Sequence, residues 1–221
     1  MRSGFEALLT ALKLPARAKI VFTAMTVADM PRIAKHHDLV PVPVDVEIDS
    51  MAPRVESLEK AATSACRVLD LTHLFGGRAD FSASIGWARR RGMVIIEDCA
   101  EAYWDPTYLG DPRADVSLFS FGAIKHRTGL GGAVVRITDT DLLQRVRRVI
   151  ADHPTQKTSQ YVGRLLKYGV LHKISARASY AGLVRMTRWF GVDHDRLVND
   201  LTRGYGHSDF VHRVRHGLVW V

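Results

Sequence analysis

Only two cysteines, Cys66 and Cys99, occur in 221 residues. Two thiols cannot build a disulfide framework, so the chain does not read as a disulfide-stapled secreted domain. Each sits in or beside a predicted buried element, where a thiol serves as a small apolar filler. No run approaches the roughly 18 uninterrupted apolar residues of a membrane span. The start, Met1-Arg2-Ser3-Gly4-Phe5-Glu6, lacks the apolar core of a signal peptide, and a cytoplasmic location is expected. Metal-ligand spacing is missing too. His36-His37-Asp38 has no third ligand at a recognisable distance, so it reads as a helix-end cationic pair, and no metal is expected. Gly129-Leu130-Gly131-Gly132 is no dinucleotide fingerprint, because it precedes a strand instead of following one and opening a helix. No RNA-binding aromatic motif or basic DNA-reading helix is present, which argues against a nucleic-acid partner. No internal repeat or low-complexity segment appears.

Charge of one sign is also scarce in one region. Residues 151–221 hold 11 Lys+Arg against 5 Asp, a balance of +6 out of the chain's +8, while residues 1–150 hold 20 Lys+Arg against 18 Asp+Glu. A basic surface of this kind suits nucleic acid, an anionic membrane surface or phosphorylated substrates, or is a solvated helical face or one that packs on an acidic partner.

What is there is a series of short apolar runs separated by helical patterns. Leu8, Leu9 and Leu12 recur at helical spacing in residues 5–13. Residues 19–22 read as a strand. Residues 27–36 read as a helix with Pro31 near its start. Residues 38–46, with two prolines, read as an edge or irregular strand. Residues 57–64 suggest a helix, 67–75 a strand closed by Gly76-Gly77, and 80–91 a helix ending in Arg89-Arg90-Arg91 and Gly92. Asp139-Thr140-Asp141 caps a further helix. Strands alternating with helices imply βαβ units, hence an α/β fold of three αβα layers with a mostly parallel central sheet. After His153 the strand pattern stops. Residues 159–190 carry Leu165, Leu166, Val170 and Leu171 at helical spacing, decorated by Arg164, Lys167, Lys173, Arg177, Arg185 and Arg188. A helical C-terminal appendage is expected there, with low-salt affinity for acidic lipid surfaces as one reading of its charge.

The chemistry concentrates in residues 93–133. Met93-Val94-Ile95-Ile96 ends in Glu97-Asp98; Val116 to Phe121 leads to Lys125; Gly129, Gly131 and Gly132 precede Ala133-Val134-Val135. In open α/β sheets the ligand sits beyond the carboxyl ends of the strands. Asp98, Ser120 and Lys125 all fall at or just past such ends. A desolvated lysine forms a Schiff base with a carbonyl compound, and pyridoxal phosphate is the cofactor that exploits this. Its ring nitrogen must stay protonated, which a buried carboxylate favours. Its phosphate needs hydroxyl and backbone N–H donors, often at a helix N-terminus.

These residues carry a resemblance. Glu97-Asp98-Cys99-Ala100-Glu101-Ala102, Ser120-Phe121-Gly122-Ala123-Ile124-Lys125 and Gly129 to Val135 are similar to the DegT/DnrJ/EryC1/StrS aminotransferases. Thr72-His73-Leu74-Phe75-Gly76, Pro41-Val42-Pro43-Val44-Asp45 and Arg2 to Leu8 resemble upstream segments of the same family, for a coverage of roughly residues 2–153. The resemblance implies a fold-type-I large domain over 1–155, a basic and mainly helical region over 156–221, and pyridoxal 5'-phosphate as cofactor. It implies Lys125 as the Schiff-base lysine and proton shuttle, Asp98 on the pyridinium nitrogen, Glu101 near the 3′ oxygen, and Ser120, Ser3 and Gly4 on the phosphate. The implied reaction moves an amino group from an amino acid, glutamate foremost, to a keto-sugar nucleotide, in a cytoplasmic homodimer serving polysaccharide or antibiotic biosynthesis.

Some positions depart from the pattern. Glu101 stands where glutamine is usual, Phe5 where threonine is, His126 where asparagine is frequent, and Leu130 where an acid is common. Ala24 or Val27 stands where an aromatic would stack on the ring. The chain opens at the phosphate turn and its end does not resemble the usual small domain, so a truncated or divergent member is expected. A catalytically impaired cofactor- or partner-binding module is the alternative.

Overall fold

Each apolar run between residues 19 and 137 becomes a strand in the computed structural model, which describes residues 1–103, 105–123, 125–174, 177–189, 191, 193, 210, 214 and 215. The chain forms two compact units, Met1–His153 and Pro154–Val221. In the first, β1 (Lys19–Thr23), β2 (Val40–Val44), β3 (Cys66–Thr72), β4 (Val94–Asp98), β5 (Val116–Ser120) and β6 (Ala133–Ile137) make one sheet. The order is β2-β1-β3-β4-β5-β6. Neighbours run parallel except β5 and β6, which the glycine loop joins as an antiparallel pair.

The proline-bearing strand β2 lies at the edge, as expected from its composition. Val40 N–H bonds to Ala18 C=O across the pair at 2.9 Å. Pro41 and Pro43 alternate with it, so their missing N–H groups fall on the open side, where a proline costs no ladder hydrogen bond.

Helices cover both faces, which gives the αβα layering. On one face lie α1 (Arg2–Leu12), α2 (Asp29–His36) and α5 (Thr140–Ala151); on the other lie α3 (Val55–Ala61) and α4 (Ser82–Arg89). Strand alternation divides the residues. Val21, Leu69, Leu71 and Ile95 pack with Leu58 of α3 and Ile85, Trp87 and Ala88 of α4. Phe22 faces α1, where its ring meets Phe5 at 6.3 Å between centroids. Burying such side chains contributes about 1.5–3 kcal/mol each. Asp139 caps α5, its Oδ1 accepting from Leu142 N–H at 2.5 Å.

Several boundaries differ from the sequence reading. The first helix begins at Arg2, so Ser3 and Gly4 lie inside its first turn. The strand expected over 67–75 stops at Thr72, because Phe75 takes a left-handed backbone (φ 55°) that a strand cannot accommodate. The helix expected over 57–64 runs from Val55 to Ala61. The His36-His37 pair does more than end a helix. His37 Nε2 faces the buried Glu6 of α1 at 3.6 Å, and His153 approaches the other Glu6 oxygen at 3.5 Å. The link among residues 6, 37 and 153 has no sequence signal.

The second unit contains α6 (Thr158–Ile174) and α7 (Arg177–Trp189), which pack on each other. Among the described residues, no helix is long and apolar enough to cross a membrane. Most of residues 190–221, and Trp104 and Ile124 in the central stretch, lie outside the described residues.

Candidate active site

β4 ends in two adjacent carboxylates that alternation sends to opposite faces. Asp98 faces the α1 side, with only 2% of its surface exposed. Its Oδ1 accepts the Ala100 N–H at 2.9 Å, and its backbone C=O accepts from His73 N–H at 3.0 Å. Burial pushes its carboxyl above the usual range; the Ala100 N–H and the Lys125 charge oppose that rise.

Lys125 sits five residues past the end of β5, in a turn closed by its own N–H on Gly122 C=O at 3.0 Å. Gly122 brings Ser120 and Lys125 together: a Cβ there would lie 3.7 Å from Ser120 Oγ and 3.9 Å from Lys125 Cγ. Both residues line a crevice, as do Phe75, Ala100, Glu101, Tyr103 and His126. Glu101 crosses the crevice to pair with Lys125, Oε1 to Nζ at 3.5 Å, and its Oε2 accepts the Phe75 N–H at 3.2 Å. The Met1 amino group at the start of α1 is lowered to about 5, by burial first and then by the Arg2 charge, with the Asp98 charge opposing. Four of the sequence candidates, Asp98, Glu101, Ser120 and Lys125, therefore gather at one place, Asp98 just behind the crevice wall. Ser3 and Gly4 open α1 beside it but are not on the lining. Gly4 also has a packing reason to be glycine, because a Cβ there would lie 2.9 Å from Val135 Cγ2 of β6.

The structure adds a residue that the sequence reading passed over. Phe75 supplies an exposed aromatic ring on the crevice lining. The available signal was a large aromatic directly before Gly76-Gly77.

Glu97, on the opposite face, is the hub of a buried network. His73 Nε2 meets its Oε1 at 2.9 Å and the Tyr108 hydroxyl donates to the same oxygen. Its Oε2 accepts from Ser117 Oγ at 2.7 Å and Asp111 N–H at 2.8 Å. The Ala79 N–H donates to His73 Nδ1, so His73 carries its proton on Nε2 and donates it to Glu97. Burial alone would raise the Glu97 carboxyl; the four donors outweigh it and hold the group at about 2. Cys99 lies beside His73 and Glu97, and the three potential ligand atoms fall within 4.8 Å of one another. Their lone pairs are already engaged: both Glu97 oxygens and both His73 nitrogens are in hydrogen bonds, and burial pushes the Cys99 thiol up, away from the thiolate a metal requires.

This network leaves no room at Gly110, whose φ is +89°. A Cβ there would lie 2.1 Å from Ser117 Oγ and 2.7 Å from Glu97 Oε2. Gly110→Ala is expected to lose at least about 3 kcal/mol of stability, combining overpacking with left-handed backbone strain. A urea titration showing a loss under about 1 kcal/mol would contradict the packing described.

The model of the DegT/DnrJ/EryC1/StrS aminotransferase family matches residues 2–196. The chain belongs to that family. The match extends the resemblance beyond residue 153, through α6 and α7, where the sequence motifs alone did not reach. Solved structures with the same fold include Streptomyces venezuelae DesV in complex with a ketimine intermediate, at 25% identity and a TM-score of 0.61, covering 71% of this chain and 43% of that one. CalS13, a sugar aminotransferase from Micromonospora echinospora, is 26% identical with a TM-score of 0.58, over 66% of this chain and 42% of that one. NtdA from Bacillus subtilis, solved with bound cofactor PMP, is 22% identical with a TM-score of 0.61, over 70% of this chain and 35% of that one. This DegT/DnrJ/EryC1/StrS chain thus covers 35–43% of the length of those neighbours. Its sheet and covering helices are those of the fold-type-I aminotransferases.

Proposed function

We propose that the crevice binds pyridoxal 5'-phosphate and that the protein transfers an amino group from an amino acid, glutamate foremost, to a keto-sugar nucleotide. The observation that carries this reading is the buried Asp98 carboxylate at the end of β4, in the field of the Lys125 amine that lines the crevice, at the carboxyl end of a mostly parallel sheet. The donor set suits the group: a buried acid for a ring cation, an amine for a carbonyl, and a hydroxyl with a helix N-terminus for a phosphate. When bound, the cofactor supplies the electron sink that acidifies the carbon next to an amine.

In this reading Lys125 holds the cofactor through its amine and then, once freed, moves a proton at the substrate carbon. Asp98 keeps the ring nitrogen charged. Ser120 and the first turn of α1, with Ser3 and Gly4, bind the phosphate. Glu101 holds the Lys125 ammonium while that amine is free. The family's dimeric assembly and a cytoplasmic setting belong to the same proposal, with residues 1–155 as the transferase-like part and 156–221 as a basic helical part. The exposed Leu165, Leu166 and Val170 on α6 beside Lys167 support its contact with an acidic lipid surface.

Pyridoxal phosphate added to the purified protein is expected to give the visible band of lysine-bound cofactor. Glutamate and a keto-sugar nucleotide are then expected to yield 2-oxoglutarate and the amino sugar. A protein that develops no band overturns the cofactor reading; one that shows the band and never transfers overturns the transferase reading.

A further inference from the structure

β3 is an interior strand, yet it carries a carboxylate in its middle. Asp70 is fully buried, and neither of its oxygens has a hydrogen-bond partner among the described residues. Its cross-strand neighbours are Phe22 of β1 and Ile96 of β4. Thr72, two residues on and on the same face, is the register partner of Asp98, and its Oγ1 is likewise buried without a partner. Two carboxyls therefore share one dry face of the sheet, on adjacent strands.

Such a place holds one negative charge more readily than two, so the pair retains a proton. Hydrogen-bond donors decide which carboxyl keeps it. Asp98 receives the Ala100 N–H and lies in the field of Lys125, whereas Asp70 receives neither. We propose that Asp70 is a positioning residue for Asp98: it carries the proton of the pair as a neutral carboxyl, so that the single negative charge stays on Asp98, where a ring nitrogen would need it. The functional half rests on the reading of Asp98 given above; the proton-sharing pair does not.

Burial first, and then the field of Asp98, push Asp70 well above the usual carboxylate range. The other charged groups on the surrounding elements are directed elsewhere. Arg2 of α1 is bonded to Asp29, Glu6 of α1 faces His37 and His153, Glu97 of β4 points to the opposite face, and Lys19 stands at the far end of β1. The Lys125 charge acts on Asp98.

The test compares cofactor-free wild type with Asp70→Asn in urea titrations from pH 4 to pH 8. A carboxyl protonated in the fold and ionised in the unfolded chain weakens folding about tenfold per pH unit above its ordinary value of about 4. Asparagine is neutral throughout. The variant is therefore expected to match the wild type near pH 4 and to gain on it about tenfold per unit as pH rises, until Asp70 ionises. A variant that loses ground as pH rises, or differs by a constant offset, overturns the proposal. The infrared spectrum of the wild type at neutral pH is a second measurement. A protonated-carboxyl stretch that disappears in Asp70→Asn supports the assignment, and its absence from the wild type overturns it even if the variant does not fold. Asp98→Asn is expected to lose pyridoxal phosphate at least tenfold. Unchanged affinity in Asp98→Asn would overturn the ring-nitrogen role alone, leaving the pH slope to decide the pair.

Discussion

Lys125→Ala is expected to abolish the visible band formed with pyridoxal phosphate and to lower amino transfer by about a thousandfold or more, the scale of losing a positioned proton carrier. The fold should hardly register the change. The ion partner of Lys125 is Glu101, whose side chain is 48% exposed, and exposed pairs of this kind contribute about 0–1 kcal/mol. A thermal melt unaltered within that margin, beside a lost band, would show that the lysine acts on the cofactor and not through the scaffold. A band that survives in Lys125→Ala would remove Lys125 from its proposed role. Glu101 would keep its bond to the Phe75 N–H in the variant, so the crevice wall should stay as it is.

The largest effect on stability is expected at Glu97. Glu97→Gln keeps the volume but turns one oxygen into a donor. Depending on its orientation, the amide then faces either the Ser117 hydroxyl and Asp111 N–H or the His73 N–H and Tyr108 hydroxyl. Breaking a buried charged network in this way costs about 3–5 kcal/mol. The pH dependence identifies the cause. The Glu97 carboxyl is held at about 2 in the fold against an ordinary 4.5. A depressed carboxyl stabilises the fold above its unfolded value, and that contribution, about 3 kcal/mol here, is lost as pH falls from 4.5 towards 2. Wild type and variant should therefore converge in acid. A difference that stays constant down to pH 2 would mean that the charge of Glu97 is not what matters. Asp70 runs the other way, its protonated form being favoured in acid, so the two buried carboxyls are separable by the sign of their pH slopes.

Both carboxylates were visible as the end of an apolar run, but their separation into two roles was not. Alternation along β4 alone sends Glu97 and Asp98 to opposite faces. What each face holds depends on α1 on one side, and on His73, Tyr108 and Ser117 on the other. His73 was readable as a residue at a strand end; that it donates from Nε2 depends on Ala79 N–H, brought to Nδ1 by the turn after Gly77. Asp70 looked like one polar residue in Arg67 to Phe75. Only the sheet order, with β3 between β1 and β4, makes it an interior residue with no hydrogen-bond donor among the described residues.

The sequence by itself determined the class of fold and the material of the site. Strand-length apolar runs alternating with helical patterns leave few alternatives to a mostly parallel α/β sheet, and they put Asp98, Ser120 and Lys125 at or just past strand ends, because period and composition are local properties. The tertiary structure decided what is non-local. It placed Glu101 against Lys125, Phe75 on the crevice, Glu6 between His37 and His153, and Asp70 on the strand next to Asp98. Those pairings join segments up to 147 residues apart, as Glu6 and His153 are. Their partners are chosen by strand register and helix packing, neither of which leaves a periodic mark on the chain.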